Sequence, residues 1–116
     1  MKHLPYERAD RVGQAIFEQV ATLVRERLAD PRLTGVQITS VKVTKDLRLA
    51  RIYYFIGGDA KTRAACQAGL AAASGVLKRA VAGALAMKFT PELQFFFDES
   101  IEYGERVDAL LESLKK

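Results

Sequence analysis

Ten lysines and arginines fall between residues 31 and 91 (Arg32, Lys42, Lys45, Arg48, Arg51, Lys61, Arg63, Lys78, Arg79 and Lys88), against only Asp46 and Asp59. Side chains that are cationic at neutral pH do their chemistry by attracting and neutralising anions, phosphate above all. That middle stretch carries a net +8, whereas residues 1–30 hold five basic and five acidic side chains and residues 92–116 hold three basic and seven acidic. An excess confined to one part of the chain is the footprint of a polyanion-binding face. Charges also serve simply to solvate a surface, so the count alone leaves nucleic-acid binding and plain solvation equally open.

Covalent and metal chemistry has little to work with. His3 and Cys66 are the single histidine and single cysteine, too few for a zinc site of nitrogen and sulfur ligands. No G-x-x-x-x-G-K-[ST], G-x-G-x-x-G or G-x-S-x-G pattern occurs, which leaves out the usual phosphate loops and the nucleophile elbow. Asp98, Glu99 and Glu102 are close enough in sequence to meet a hard cation, but such a cluster is more often a solvated strand end. Cys66 lies on an alanine-rich face and reads as a small buried hydrophobe rather than a reactive thiol. A lone cysteine has no internal partner and suits a reducing compartment, so a cytoplasmic chain is expected. Met1 to Pro5 has nothing of a signal peptide, and no apolar run approaches the roughly 20 residues that cross a bilayer. The expectation is a binding protein rather than an enzyme, monomeric, with no cofactor, no metal, no membrane and no small-molecule substrate.

The element that must position the cations is the alanine-rich run from Ala60 to Met87. It lacks proline and is dominated by residues that lose little on entering a helix. As one helix it would be about 42 Å long, while a compact domain of this size has a radius of gyration of about 13 Å, so the run is expected to bend or break. Ala73-Ser74-Gly75 is the place to do so, because Gly/Ser pairs are among the known causes of kinks. Two helices meeting at an elbow are predicted, with Lys78 and Arg79 in the first turn beyond it.

Around that run, Val12, Ala15, Ile16, Val20, Leu23, Val24 and Leu28 recur at helical spacing, and Asp30-Pro31 ends the helix. Val36–Thr44 and Ala50–Ile56 read as strands joined by a short Lys45-Asp46-Leu47-Arg48 connection. The apolar phase slips within the first strand, which predicts a bulge near Ser40. The second is apolar on both faces and is predicted to be central, with Ile52, Tyr54 and Ile56 on one face and Arg51, Tyr53 and Phe55 on the other. Asp59 is placed as an N-cap. Leu77, Ala80, Val81, Ala84 and Leu85 form a core-facing stripe. Leu93 to Phe97 alternates as a third strand, with Pro91 tolerated at its start. Tyr103, Val107, Leu110, Leu111 and Leu114 keep helical spacing over residues 101–116, a candidate C-terminal helix docking on the core or on a partner.

The chain is therefore predicted to be one α+β domain spanning residues 1–116, with a core at about 6–100. Its order α-β-β-α-(kink)-α-β is that of a type II KH-like domain, with a three-stranded sheet, helices on one face and Tyr53 and Phe55 looking out from the other. At the residue level it resembles the ribosome-binding factor A family of small-subunit assembly factors. The likeness is carried by Arg8-x-x-Arg11-Val12, Asp30-Pro31-Arg32, Val41 with Asp46-Leu47-x-x-Ala50, Ala73-Ser74-Gly75, Pro91-Glu92-Leu93-x-Phe95, Asp98-x-Ser100 and Gly104. None is specific alone; the order and spacing are. The resemblance implies binding to 16S rRNA on the free or immature 30S subunit and help in late maturation, notably in the cold.

A KH domain grips single-stranded nucleic acid with a GXXG loop. Here Ala73-Ser74-Gly75 stands in that place, as in the family. What remains is the helix N-terminus beyond the kink, whose amides favour phosphate. Recognition of folded rRNA by shape and charge is expected, with Lys45, Arg48, Lys78, Arg79 and Lys88 as the main phosphate contacts, Arg8 and Arg11 as secondary ones, and Ser74 and Gly75 shaping the surface. Lys78 replaces the family's usual arginine and loses a planar fork. Ala86 stands where a basic residue is common, and the longer C-terminal tail of some relatives is expected to be missing. A second reading is a protein-interaction module using the open sheet face or the C-terminal helix.

Overall fold

Amphipathic segments at each end of the sheet sequence give the chain its layers. The computed structural model describes residues 5–114, and the side chains of 5–7 and 102–107 also lie outside the description; His3, Glu102, Tyr103, Val107 and the last two lysines of the predicted C-terminal helix fall there. Helix α1, Pro5–Glu26, turns Ala9, Ile16, Val20, Leu23 and Val24 inward. Val12 and Leu28 are half-buried beside them. Gly13 lets α1 approach β1 closely, since a Cβ there would sit 3.2 Å from the carbonyl oxygen of Val41. After α1, Asp30 caps a single 3-10 turn, Pro31–Leu33, through the amide of Arg32 at 2.9 Å. The carboxylate also holds the guanidinium of Arg32, with Nη2 at 2.7 Å. Bonding to Arg32 keeps the Asp30 carboxyl below its ordinary range.

Strands β1 (Gln37–Val43), β2 (Leu49–Phe55) and β3 (Glu92–Phe97) form a sheet in the order β1-β2-β3. The first pair is antiparallel and the second parallel, so β2 is central as its two apolar faces require. The register of β1 shifts between Ile38 and Ser40, which is the expected bulge. Between β1 and β2, Asp46 accepts hydrogen bonds from the Thr44 hydroxyl at 2.7 Å and the Arg48 amide at 3.1 Å. Those two bonds lower the Asp46 carboxyl from its ordinary value. Leu47 completes the turn at φ 62°, in the left-handed region.

The alanine-rich run corrects the expectation of an elbow. It is a single α-helix, α2, Ala60–Leu85, without a break at Ala73, Ser74 and Gly75. The premise of a near-spherical domain fails, because the radius of gyration is 16.3 Å and the extents are 55 × 41 × 19 Å. A slab one sheet and one helix layer thick accommodates a helix of 26 residues, about 39 Å long. Nothing presses on Gly75 to bend the helix, since an added Cβ would meet no atom within 4 Å. Ser74 returns its hydroxyl to the carbonyl of Ala71 at 2.8 Å. The Asp59 N-cap is as expected, with its carboxylate accepting the Thr62 amide at 2.9 Å.

Two smaller expectations also change. Ala84 is exposed, and the inward stripe of α2 is Cys66, Gly69, Leu70, Leu77 and Val81. By length and composition α2 is apolar enough to cross a membrane, contrary to the expectation from sequence, because its alanines raise the average. Most of its large apolar side chains are instead spent on the core: Leu70, Leu77 and Val81 are fully buried with Ile16, Val20, Ile52 and Tyr54, and Val76 is exposed. Tyr54 donates its hydroxyl to Gln67 of α2, which in turn donates to the carbonyl of Phe95 at 3.1 Å, tying α2 to both strands. Burial pushes the Tyr54 phenol and the Cys66 thiol up.

Helices α1 and α2 cover the face bearing Ala50, Ile52 and Tyr54. Tyr53 and Phe55 are half-buried on the opposite face, where the Tyr53 and Phe96 rings lie 5.8 Å apart. Helix α3, Glu99–Leu114, occupies the predicted C-terminal segment. It is not docked through its leucines, as Leu110, Leu111 and Leu114 are all exposed.

Candidate nucleic-acid interface

The β1–β2 turn, the end of α2 with the strand entry after it, and the start of α1 come together around one open cleft of about 800 Å³. Three of the cations singled out from sequence line it: Arg8 from α1, Arg48 from the turn and Lys88 from the segment before β3. They meet because Arg48 and Glu92 stand side by side: the Glu92 amide donates to the Arg48 carbonyl at 2.8 Å, in the first rung of the parallel pairing. Asp46 and Glu92 also line the cleft. Both are engaged, Asp46 with the Thr44 hydroxyl, the Arg48 amide and, at 4.0 Å, Arg48 Nε, and Glu92 with Lys78, whose Nζ donates to Oε2 at 2.7 Å.

The remaining cations expected at the surface spread around this centre. Arg11 is exposed one helical turn beyond Arg8, and Lys45 is exposed in the same turn as Arg48. Lys78 is half-buried and joined to Glu92, so it reaches the cleft's edge through an ion pair rather than as a free cation. Arg79 is exposed, seven residues before the cleft-lining Ala86 and so on the same face of α2. Gly75 shares that face four residues earlier and is exposed; Ser74 is half-buried. The phosphate-binding amides expected beyond a kink are not there: in a continuous helix the amides of residues 76–79 are taken up by the turn before them. The true N-terminus of α2 is closed by the Asp59 carboxylate, which disfavours an anion.

Sequence reasoning missed three residues. Lys42 and Arg51 are register partners on the open sheet face, a like-charge pair that costs stability unless an anion meets it. The alternation of β2 already put Arg51 on the face away from the core, but only the observed register pairs it with Lys42. Phe89 is the third, 77% exposed and lining the cleft, with Lys88 Nζ 5.6 Å from its ring centroid. By contrast Arg63 stacks on Phe97, 4.3 Å from the ring centroid, and Arg32 is held by Asp30. Asp98, one of the three acidic candidates, accepts from Thr39 at 2.6 Å and from the amide and hydroxyl of Ser100. Among the described residues no group of three histidines, cysteines or acids is placed to hold a metal ion.

The family described as ribosome-binding factor A matches residues 8–111. The chain is 46% identical over 115 residues to ribosome-binding factor A of Desulfosudis oleivorans, covering 99% of this chain and 88% of that one. It is 44% identical over 110 residues to the Geobacter sulfurreducens protein of the same name, covering 95% and 93%. Its fold is similar to the crystal structure of ribosome-binding factor A from Thermus thermophilus, with TM-score 0.62 and 21% identity over 81% of this chain and 94% of that one. It is also similar to a homology model of the Thermus thermophilus factor fitted into the cryo-EM map of a complex with 30S, with TM-score 0.60 and 24% identity over 78% and 96%.

Proposed function

As the chain belongs to the ribosome-binding factor A family, we propose that it binds the 30S ribosomal subunit through 16S rRNA and assists late maturation, including in the cold. The observation that carries this reading is the convergence of Arg8, Arg48 and Lys88 on one cleft from three separate elements. Three cations brought together against two carboxylates leave a net positive field that folded RNA satisfies. The homology model of the Thermus thermophilus factor, fitted into the map of a 30S complex, supports the same partner. Lys45, Arg11, Lys78 and Arg79 extend the surface, and the glycine and alanine face of α2 at Gly75 lets an RNA backbone approach closely. Because that face is a continuous helix, the RNA meets the side of a rod rather than the mouth of a loop. No bond is made or broken in this role; the factor acts as a cytoplasmic monomer.

The test is co-sedimentation with purified 30S subunits at low and high salt. Replacing Lys78 and Arg79 by Ala should weaken binding and make the log–log salt dependence shallower by about one unit for each phosphate that is no longer neutralised. Wild-type affinity and slope in that double variant would remove both residues from the interface.

A further inference from the structure

The cleft holds more than charge. Phe89 is 77% exposed, the largest such exposure among the described large hydrophobic residues, and it stands on the cleft wall beside Lys88. Leaving an aromatic ring in water forfeits the stabilisation that its burial would give, so its place among cations calls for an occupant with an apolar face and negative charge. A second, independent feature marks the same spot. Among the described residues the two non-glycine positions in the left-handed region are Leu47, at φ 62°, and Ala86, at φ 50°, and both line this cleft. Such conformations cost on the order of 1 kcal/mol or more each and tend to gather where a surface is shaped for a ligand.

We infer that the cleft takes one unpaired nucleotide of the bound RNA, with its base stacked on Phe89 and its flanking phosphates met by Arg8, Arg48 and Lys88. The inference rests on the reading of the chain as an rRNA-binding factor and names the element recognised. A paired base hides both faces in its own stack, whereas an extruded or single-stranded base offers one to an aromatic platform. The Lys88 ammonium lies 5.6 Å from the Phe89 centroid, close enough for the base and phosphate of a single nucleotide to meet both. The cation–ring interaction is exposed and weak, so a base displaces it readily. Asp46 lies 4.0 Å from Arg48 Nε and Glu92 is paired with Lys78, so Arg8 and Lys88 carry the cleft's uncompensated positive charge and Arg48 can turn from Asp46 to a phosphate. Stacking reads no particular sequence, so the site selects for an unpaired base rather than for its identity.

The full chain is titrated with an adenosine hexanucleotide and, separately, with a blunt-ended, fully paired RNA duplex. Phe89→Ala should weaken hexanucleotide binding at least about fivefold, the lower end of what one stacked base contributes, while duplex binding is unchanged. The chain contains no tryptophan, so Phe89→Trp places a single emission reporter in the cleft. That variant should keep its affinity, and its emission should be quenched by the hexanucleotide and not by the duplex. Hexanucleotide binding by Phe89→Ala at wild-type strength, or unquenched Trp emission at saturation, overturns the inference. Co-sedimentation separates the two levels: a wild-type chain that fails to sediment with 30S subunits removes the functional reading itself, whereas one that sediments while Phe89→Ala and Phe89→Trp show no stacking removes the nucleotide site alone.

Discussion

At the scale of single residues, side chains that look alike in sequence have very different freedom. Of the ten cations in the middle stretch, Arg32 is clamped by Asp30, Arg63 lies on Phe97 and Lys78 holds Glu92. Because Lys78 is only half-buried and Glu92 is exposed, breaking the pair should change stability by less than about 1 kcal/mol. Lys78 can therefore be exchanged between Glu92 and a phosphate at little cost. Asp98 is the residue whose acid role the structure rewrites. Bonds from the Ser100 hydroxyl, the Thr39 hydroxyl and the Ser100 amide hold its carboxyl below the ordinary 3.8. A carboxyl depressed in the folded state contributes stability above its unfolded value, and that contribution fades as pH falls through the folded one. Thr39→Val should thus lower stability by about 1 kcal/mol at neutral pH. The difference from wild type should shrink below pH of about 4, measured by urea unfolding across that range. A gap that stays constant down to acid pH would show that the Thr39–Asp98 bond is not its source.

At the scale of elements, α2 decides how the surface is built. A run this rich in alanine has no reason to stop at Gly75 once no neighbour crowds it, and the exposed helical glycine then carries only its entropic penalty. Gly75→Ala should accordingly stabilise the fold by about 0.5–1 kcal/mol, seen as a melting temperature higher by a few degrees. The same variant should bind 30S subunits more weakly if RNA lies against that face, since a methyl group is added where none stood. Stabilisation with undiminished 30S binding would take Gly75 out of the interface. The C-terminal end of α2 makes the opposite case. Ala86 closes the helix at φ 50°, with its amide bonded to the carbonyl of Ala82, in a conformation that glycine adopts without strain. Ala86→Gly is expected to raise stability by about 0.5–1 kcal/mol in the same melting experiment. Destabilisation there would mean that the methyl group packs in the cleft wall more firmly than the backbone resists it.

At the scale of the whole molecule, shape and charge act together. An elongated slab with 55 and 41 Å edges offers RNA a long side rather than a closed pocket, and the cleft sits where three elements meet on it. If Arg8, Arg48 and Lys88 each meet a phosphate, replacing all three by Ala should reduce the log–log salt slope of 30S binding by about three units while leaving the thermal melt nearly unchanged. A slope equal to wild type would mean that the RNA is held elsewhere, with the Lys42–Arg51 pair on the open sheet face the next surface to vary. Helix α3 adds exposed leucines at the far end of the chain, distinct in chemistry from this cationic cleft.

What the order of residues alone determined is the set of elements and their pairing. The spacing of Ile16, Val20 and Leu23 made α1, the two apolar faces of β2 put it in the centre, and the slip between Ile38 and Val41 marked the bulge. These are local periodicities, and short-range sterics and burial enforce them within a few residues. Tertiary structure alone decided whether Gly75 breaks a helix, which cations are already spoken for, and that Arg8, Arg48, Lys88 and Phe89 share a cleft. Those outcomes depend on neighbours from distant elements, and on a molecular shape that no window of sequence contains.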